Sequence, residues 1–323
     1  MDWRGLVAVL LPHPMCPSLS QSLSVSVSKP QVDGVHLDSD SDPDSDSDYT
    51  LNPAPRRAHV TIGSVTTMNR DDIVLDLFRL AATDRRHGAS EIEEVLLRGL
   101  LASGGDWSRE SLLSGARLLA EGQPAMANLR SLATRAASPG FRRFLEQRAG
   151  MLDTLSHRLA ASGWPYLERS NTVVTISRST AVAAVVEGAW DRGWRGSVVV
   201  LDGTVTGCGQ DQARRLLVSG EAVSRPDATA PSCLDTSGVV VLVGADAVGP
   251  QRFINAAGTT MLMELAAARG LQRVLAADSG KDVSEQELDE IADVLPRHSD
   301  SPDRECPVFE VIPMNLVSTR ITE

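Results

Sequence analysis

Apolar residues recur every three or four positions between residues 70 and 165. Ile73, Leu77 and Leu80 share one helical face in this way, so the spacing predicts amphipathic helices. Ser90 and Ser108 are each followed by acidic residues within one turn, as helix N-caps are, and we expect both to begin helices. The pattern predicts an N-terminal all-α helical domain at residues 68–165. Its later helices are predicted at Ser108–Ala120, Pro124–Ala136 and Gly140–Ala161.

Short apolar runs, most of them rich in valine, alternate with helical segments after residue 165. Strands this apolar are buried on both faces, which is typical of a parallel sheet between helices. The sequence therefore predicts an α/β fold, with a Rossmann-like parallel-sheet domain at residues 166–323. Ligands bind such sheets beyond the carboxyl ends of the strands. The predicted strands are Thr172–Thr175, Ser197–Leu201, Val239–Val243, Gln272–Ala276 and Phe309–Ile312.

Residues 1–67 have a different composition. A serine-rich stretch is followed by Asp38–Asp48, in which aspartate alternates mainly with serine. Closely spaced like charges with few apolar residues cannot offset the entropy of ordering the chain, so we expect a disordered acidic tail. A calcium loop is the alternative, although such loops also need a glycine turn and a bidentate carboxylate at set spacing. Met68 directly precedes the first predicted helix and is an alternative translational start.

The charge and the cysteines limit the classes of function. The formal net charge of -11 disfavours direct nucleic-acid binding, which needs concentrated lysine and arginine. No apolar run approaches the roughly 20 residues that span a bilayer. The four cysteines form no C-x-x-C pair, so we expect a cytoplasmic protein with neither a metal nor an organic cofactor. Lys29 and Lys281 are the only lysines among 31 basic residues.

Five short segments occur in the order found in one known family. Together they resemble the initiation factor 2B α/β/δ subunits, methylthioribose-1-phosphate isomerase and ribose-1,5-bisphosphate isomerase. The family patterns are R-G-A, R-P-T-x-x-N-L, T-H-[CSAG]-x-S, G-A-D-x-[IV] followed by N-K-x-G-T, and a closing segment that ends in I-T-E. The matching segments are His87–Ala89, Gln123–Leu129, Thr175–Ser179, Gly244–Val248 with Ile254–Thr260, and Phe309–Glu323.

The resemblance implies a catalytic pair that is incomplete in this chain. The family's isomerases move a carbonyl along a sugar 1-phosphate with a cysteine and an aspartate in one pocket, an acid and a base on one substrate. Asp246 matches the aspartate, but Ser177 stands at the cysteine position. A serine hydroxyl is a far weaker acid than a thiol and needs an activating base. We expect weakened or absent isomerase chemistry.

The resemblance also implies weakened phosphate recognition. Cationic positions of the isomerases hold His87, Gln123 and Ala256 here, and the loop Asp202–Gly209 lacks another arginine of the family pattern. Each lost charge-assisted contact to phosphate costs about 1.5–3 kcal/mol. We therefore expect a pocket without cationic side chains. The positions that the resemblance assigns to ligand binding are His87, Gly88, Ala89, Gln123, Asn128, Gly207, Gly209, Asn255 and Gly258.

Several of these residues also have purely structural interpretations. Asp246 could cap the loop after its strand by accepting backbone hydrogen bonds. Gly207 and Gly209 could form a tight strand-to-helix turn before a helix predicted at Asp211–Val218, where Asp211 would repel a phosphate. Cys208 has no neighbouring His or Lys in the sequence to activate it.

Three functions remain open. The first is a noncatalytic initiation factor 2B-like regulatory or scaffold protein, a homodimer or part of a larger assembly, with an initiation factor 2 component as partner and a small phosphorylated ligand as a further candidate. The second is a divergent sugar-phosphate isomerase that uses Asp246 and Ser177. The third is a nucleotide-binding module built on the loop Gly207–Gly209, although this loop lacks the third glycine of a dinucleotide fingerprint.

Overall fold

The computed structural model describes residues 69–203, 207–295, 297–299 and 305–323. The predicted acidic tail at residues 1–67 lies outside the described residues. Among the described residues, helices come first and strands follow, which confirms the predicted fold class. The helices before the first strand are α1 (Arg70–Thr83), α2 (Ala89–Ala102), α3 (Arg109–Gly122), α4 (Ala127–Arg135) and α5 (Phe141–Leu167).

The helices α1 to α5 enclose an apolar core of their own. Leu77 of α1 is fully buried in it, as the spacing of apolar residues predicted, and Ile73 and Leu80 pack against it partly buried. Phe78 is fully buried as well. Ser108 caps α3 by accepting a hydrogen bond from the backbone N–H of Ser111, as expected. The N-cap predicted at Ser90 is wrong, because α2 begins at Ala89 and Ser90 lies inside the helix. Gly88 is the N-cap of α2.

Helix α5 connects the helical part to the sheet by packing on α6 (Thr180–Asp191). Two glycines allow the close approach of these helices. A Cβ atom added to Gly163 of α5 would lie 2.4 Å from Val185, and one added to Gly188 of α6 would lie 2.3 Å from Ala160. Since real Cβ contacts are longer, larger side chains would separate the two helices.

The second half of the chain forms a six-stranded parallel sheet in the order β11-β7-β4-β1-β2-β3. All five residues of β4 are buried, which is why this strand lacks polar positions. The strands are β1 (Thr172–Ile176), β2 (Ser197–Leu201), β3 (Ala222–Arg225), β4 (Val239–Val243), β7 (Gln272–Ala276) and β11 (Thr319–Ile321). The helices that follow α6 are α7 (Cys208–Leu216), α8 (Ala230–Cys233), α9 (Thr259–Ala268) and α10 (Glu285–Ala292).

The prediction that Phe309–Ile312 joins the parallel sheet is wrong. This segment forms β10 (Phe309–Pro313), which pairs antiparallel with β6 (Arg252–Ala256) in a separate three-stranded sheet. Polar Glu310 interrupts the apolar run, and the strand is mostly half-buried rather than buried on both faces. The third strand of this sheet is β5 (Ala247–Val248). Strand β8 (Arg297–Ser299) pairs antiparallel with β9 (Glu305–Pro307).

No helix among residues 69–203, 207–295 and 305–323 is long and apolar enough to cross a membrane. The carboxyl ends of β1, β2 and β4 end together at one edge of the sheet, because neighbouring parallel strands align their ends there. The turns after these strands begin at Ser177, Asp202 and Gly244. These turns are the place to look for a site.

Candidate functional site

A small cavity of about 20 Å³ lies at this edge of the sheet. The start of α2 forms one wall and the turn between β1 and α6 forms another. The turn between β4 and β5, one residue of β6 and one residue of a 3-10 turn complete the lining. The lining residues are Gly88, Ala89, Ser90, Arg178, Ser179, Thr180, Ala245, Asp246, Asn255 and Lys281.

Asp246 is held in the cavity wall by its backbone. Its N–H donates to the carbonyl of Ile254 over 2.8 Å, and its carbonyl accepts from the N–H of Ala127 over 3.0 Å. No group within the described part of the chain donates a hydrogen bond to the carboxylate. Asp246 therefore does not cap its loop among the described residues, because capping would require a backbone N–H that donates to its carboxylate. Burial raises the pKa of Asp246, and the positive charge of Lys281 opposes this shift only in part.

Lys281 is a cavity residue that the sequence analysis did not identify. It ends the 3-10 turn Ser279–Lys281 and is 5% exposed. Its Nζ donates to the carbonyl of Ala245 over 2.6 Å, which uses one of the three donors of an ammonium group. The sequence did contain one indication of this residue. Lys281 is the single lysine in residues 30–323, where the other basic side chains apart from histidine are arginines.

Arg178 is the second cation in the cavity wall. Its Nε and Nη2 atoms each donate to the Glu91 carboxylate over 2.9 Å. The expectation of a pocket without cationic side chains is therefore wrong. That expectation was based only on the positions that carry cations in the family's isomerases. Arg178 and Lys281 lie at other positions of the chain. Arg252 is directed elsewhere, to Glu285.

Ser177 has an unusual backbone conformation. Its φ of 60° makes it the non-glycine residue in the left-handed region within the described ranges. It is 6% exposed, and its N–H donates to the carbonyl of Leu201 over 3.0 Å. A Cβ atom added to Gly203 would lie 3.1 Å from that of Ser177, so the turns after β1 and β2 touch. No side chain of the described residues accepts a hydrogen bond from the Ser177 hydroxyl.

Three predicted ligand positions of the helical part make internal contacts instead of lining the cavity. His87 is exposed, and its Nδ1 lies 2.7 Å from a carboxylate oxygen of Asp84. Gln123 donates through Nε2 to the carbonyl of Ala81 over 2.9 Å. Asn128 donates through Nδ2 to Glu93 over 2.8 Å. Gly88 and Ala89, by contrast, lie in the cavity wall.

The predicted glycine positions have clear conformational reasons. Gly207 and Gly258 adopt positive φ and are the N-caps of α7 and α9. A Cβ atom on Gly209 would lie 2.2 Å from the carbonyl oxygen of Leu201, so the strand-to-helix turn is tight there. Helix α7 begins at Cys208, three residues before the predicted start at Asp211. None of these glycines is among the cavity residues.

Asn255 lines the cavity together with Asp246. It is 6% exposed, and its Nδ2 donates to the Thr259 hydroxyl over 3.0 Å. The described residues contain no group of three or more His, Cys, Asp or Glu side chains placed to hold a metal ion. The cavity therefore combines one carboxylate of raised pKa, two cations and one amide.

The sequence model of the Initiation factor 2 subunit family matches residues 149–323, which is more than half of the chain. The chain belongs to this family. No curated protein sequence matches it. The family assignment covers the sheet and all of the cavity residues except those at the start of α2.

Solved structures of this family share the fold. Translation initiation factor eIF-2B from Pyrococcus horikoshii OT3 has a TM-score of 0.64 and 23% sequence identity, over 77% of this chain and 94% of that one. One chain of the tetrameric eIF2B-beta2-delta2 complex from C. thermophilum has a TM-score of 0.60 and 16% identity, over 77% of this chain and 90% of that one. The delta subunit of eIF-2B from A. fulgidus has a TM-score of 0.55 and 17% identity, over 77% and 86%.

The Asp246 carboxyl is the group in this cavity that is best suited to acid–base chemistry. Burial raises the pKa of Asp246, and a carboxyl with a raised pKa is a candidate for giving or taking a proton. The group needed on the opposite side of a substrate would be Ser177, which has no base among the described residues. Among the described residues, the isomerisation therefore has its carboxyl group but lacks an activated partner for it.

Proposed function

We propose that this chain is a noncatalytic, initiation factor 2B-like regulatory or scaffold protein of the cytoplasm. It acts through protein contacts, as a homodimer or within a larger family-type assembly. The observation that carries this proposal is the serine at position 177, where the resemblance places the isomerase thiol. Because a hydroxyl without a base is a poor acid and a poor nucleophile, the isomerase reaction lacks one of its two groups.

The size and the charges of the cavity also support a noncatalytic role. Ligand pockets usually enclose about 300–1,000 Å³, whereas this cavity encloses about 20 Å³. Arg178 already forms an ion pair with Glu91, and Lys281 donates to a backbone carbonyl. A doubly phosphorylated pentose would need free cations and more room than this. A small phosphorylated ligand remains a candidate effector.

The two predicted domains would divide the work in this proposal. The α/β domain at residues 166–323 would form the dimer contact, as it does in the family, and the helical domain at residues 68–165 would face the partner. An initiation factor 2 component is the proposed partner, because the chain belongs to the initiation factor 2 subunit family. No direct contact with nucleic acid is part of the proposal.

The proposal is tested by measuring association of the purified full-length chain. Light scattering at micromolar concentration should give at least a dimer, and immobilised chain should retain an initiation factor 2 component from purified stocks. A chain that stays monomeric and retains none of these components would overturn the proposal.

A divergent sugar-phosphate isomerase is the second candidate, and Asp246 favours it. Its carboxylate accepts no hydrogen bond from the described residues, and burial raises its pKa. Such an enzyme would exchange a substrate proton with solvent when given ribose 1,5-bisphosphate or methylthioribose 1-phosphate. Asp246→Asn should abolish the exchange, and exchange that persists in that variant would remove this candidate.

A further inference from the structure

Four hydrogen-bond donors converge on the Glu91 carboxylate at the start of α2. The Arg178 guanidinium donates twice over 2.9 Å, from Nε and Nη2. Nη1 of Arg215 in α7 donates over 3.2 Å, and the backbone N–H of Gly88 donates over 3.2 Å. One carboxylate therefore gathers two guanidinium groups and the N–H group of a helix N-cap.

This arrangement is the kind that binds an external oxyanion. Guanidinium groups bind carboxylate and phosphate oxygens in pairs, and backbone N–H groups at a helix start favour an anion. Gly88 and Arg178 also line the cavity that contains Asp246, so an anion held by these donors would lie beside that cavity. The side chains of Glu91 and Arg178 are 20% and 17% exposed, so solvent can reach the position.

We propose that Glu91 is a resident substitute for an external oxyanion of the phosphate monoester class. Its carboxylate fills an anion-binding position formed by Arg178, Arg215 and the Gly88 N–H, and it keeps a phosphorylated ligand from binding there. The proposal deepens the noncatalytic function proposed above and rests on it. It explains why a cavity that retains Arg178 would still bind phosphate weakly.

The charge balance of the cluster supports this interpretation. Arg215 has a second acidic partner, because its Nε lies 3.4 Å from Glu187. Glu91 is the acidic residue that forms a salt bridge with Arg178 within the described residues. Removal of its charge would leave one guanidinium group without an ion-pair partner at the cavity wall. Burial raises the pKa of Glu91, but the hydrogen bond and the charge of Arg178 outweigh this effect. The pKa is therefore lowered overall, and the carboxylate stays charged at neutral pH.

The test measures binding of orthophosphate to the full-length chain by isothermal titration calorimetry at pH 7. Glu91→Gln removes the charge and keeps an oxygen that can accept from the Gly88 N–H. We expect this variant to bind orthophosphate roughly tenfold more tightly than the unmodified chain, or better, since one charge-assisted contact is gained. The double variant Glu91→Gln/Arg178→Gln should lose this gain. Glu94→Gln, three residues along the same helix and exposed, is the matched control and should leave the affinity unchanged.

A second variant covers the case in which Glu91→Gln fails to fold. Glu91→Ala also removes the charge, and alanine favours the helix. The proposal is overturned if the folded variants bind orthophosphate no better than the unmodified chain, which would leave Glu91 as an ordinary structural ion-pair partner. It is equally overturned if neither variant folds, because the carboxylate is then indispensable to the structure. Both results leave the association test of the proposed function unaffected, so the two proposals can fail separately.

Discussion

Arg148 and Asp278 are 130 residues apart in the chain, and Nη2 of the arginine donates to Oδ1 of the aspartate over 2.7 Å. The same guanidinium donates twice to Glu93 of α2, over 2.7 and 2.8 Å. All three side chains are buried. Asp278 precedes the 3-10 turn that ends at Lys281, so this triad connects helices α2 and α5 to one wall of the cavity.

Removal of the shared arginine should destabilise the fold strongly. Arg148→Met leaves two buried carboxylates without their cation, and breaking a buried ion pair in this way costs about 3–5 kcal/mol. Urea unfolding followed by circular dichroism gives the free energy of unfolding. The matched control is Arg98→Met on α2, because Arg98 also pairs with two acidic residues but its side chain is 41% exposed. The control should lose at most about 1 kcal/mol, and equal losses in both variants would contradict the argument.

Two glycine-to-alanine changes should have opposite effects. A Cβ atom on Gly209 would lie 2.2 Å from a backbone carbonyl oxygen, which cannot move aside without shifting strand β2. Gly209→Ala should therefore lower the free energy of unfolding by about 2 kcal/mol or more. Gly150 lies inside α5, where a Cβ atom would meet nothing within 4 Å. Gly150→Ala should raise the free energy of unfolding by about 0.5–1 kcal/mol, and a loss there would contradict the packing described.

The left-handed backbone of Ser177 predicts a ranking of substitutions. Glycine adopts a φ of 60° without strain, so Ser177→Gly should be neutral or gain up to about 1 kcal/mol of stability. Valine is β-branched and should cost about 2 kcal/mol or more at this φ. Ser197→Val is the control, because position 197 begins strand β2 and valine suits a strand. Thermal unfolding ranks the variants, and a well-tolerated valine at position 177 would refute the strained turn.

The contact between Asp84 and His87 predicts a pH-dependent contribution to stability. Burial raises the pKa of Asp84, but the hydrogen bonds from His87 and from two backbone N–H groups outweigh it and lower the pKa to about 2. The hydrogen bond that the His87 ring donates to Asp84 raises the pKa of His87 above its usual 6.5. The aspartate contributes stability above pH 3.8, and this is lost as the pH falls through about 2. The histidine contributes fully below pH 6.5, and this is lost as the pH rises through its raised pKa.

His87→Ala should therefore cost most between about pH 4 and pH 6.5, by about 0.5–1 kcal/mol, because the histidine side chain of the pair is 41% exposed. The cost should shrink at pH 9. Urea unfolding at three pH values measures it. The control Arg86→Ala removes the exposed side chain next to His87 in the sequence. A cost of His87→Ala that is the same at pH 5 and pH 9 would contradict the ion pair.

The regular elements were predictable because the patterns that encode them are local. Valine runs such as Val239–Val243 are buried on both faces, and they identified the central strands. Strand β10 was misassigned because its partner, β6, is 53 residues earlier in register, counted from Phe309 to Ala256. Within the segment Phe309–Pro313, Glu310 departs from the fully apolar pattern of the central strands, but it does not identify β6 as the partner. The length of a strand and its apolar content alone do not determine its neighbours.

The cavity was predictable only in part. The segment Gly244–Val248 correctly placed Asp246 at the edge of the sheet, because a polar residue directly follows a buried strand there. Lys281 and Glu91 could not be found in this way, since each reaches the site from a turn or helix that is distant in sequence. Gln123 and Asn128 match family positions, yet here they donate to backbone and side-chain groups inside the helical part.

The Asp246 carboxylate predicts a stability cost that grows with pH. Burial raises its pKa above the usual 3.8, so between 3.8 and the raised value the folded chain binds more protons than the unfolded chain. Stability should then fall as the pH rises from 3.8 through the raised pKa, because the folded carboxylate ionises without a hydrogen-bond donor.

Asp246→Asn cannot ionise and should escape this loss. The variant should therefore match the unmodified chain near pH 4 and exceed it at pH 7, measured as the midpoint of urea unfolding. Asp106→Asn, whose carboxylate is 93% exposed, should show no such divergence. If Asp246→Asn is instead less stable than the unmodified chain at pH 7, the charged carboxylate has a stabilising partner, and the view of Asp246 as an uncompensated functional group would be wrong.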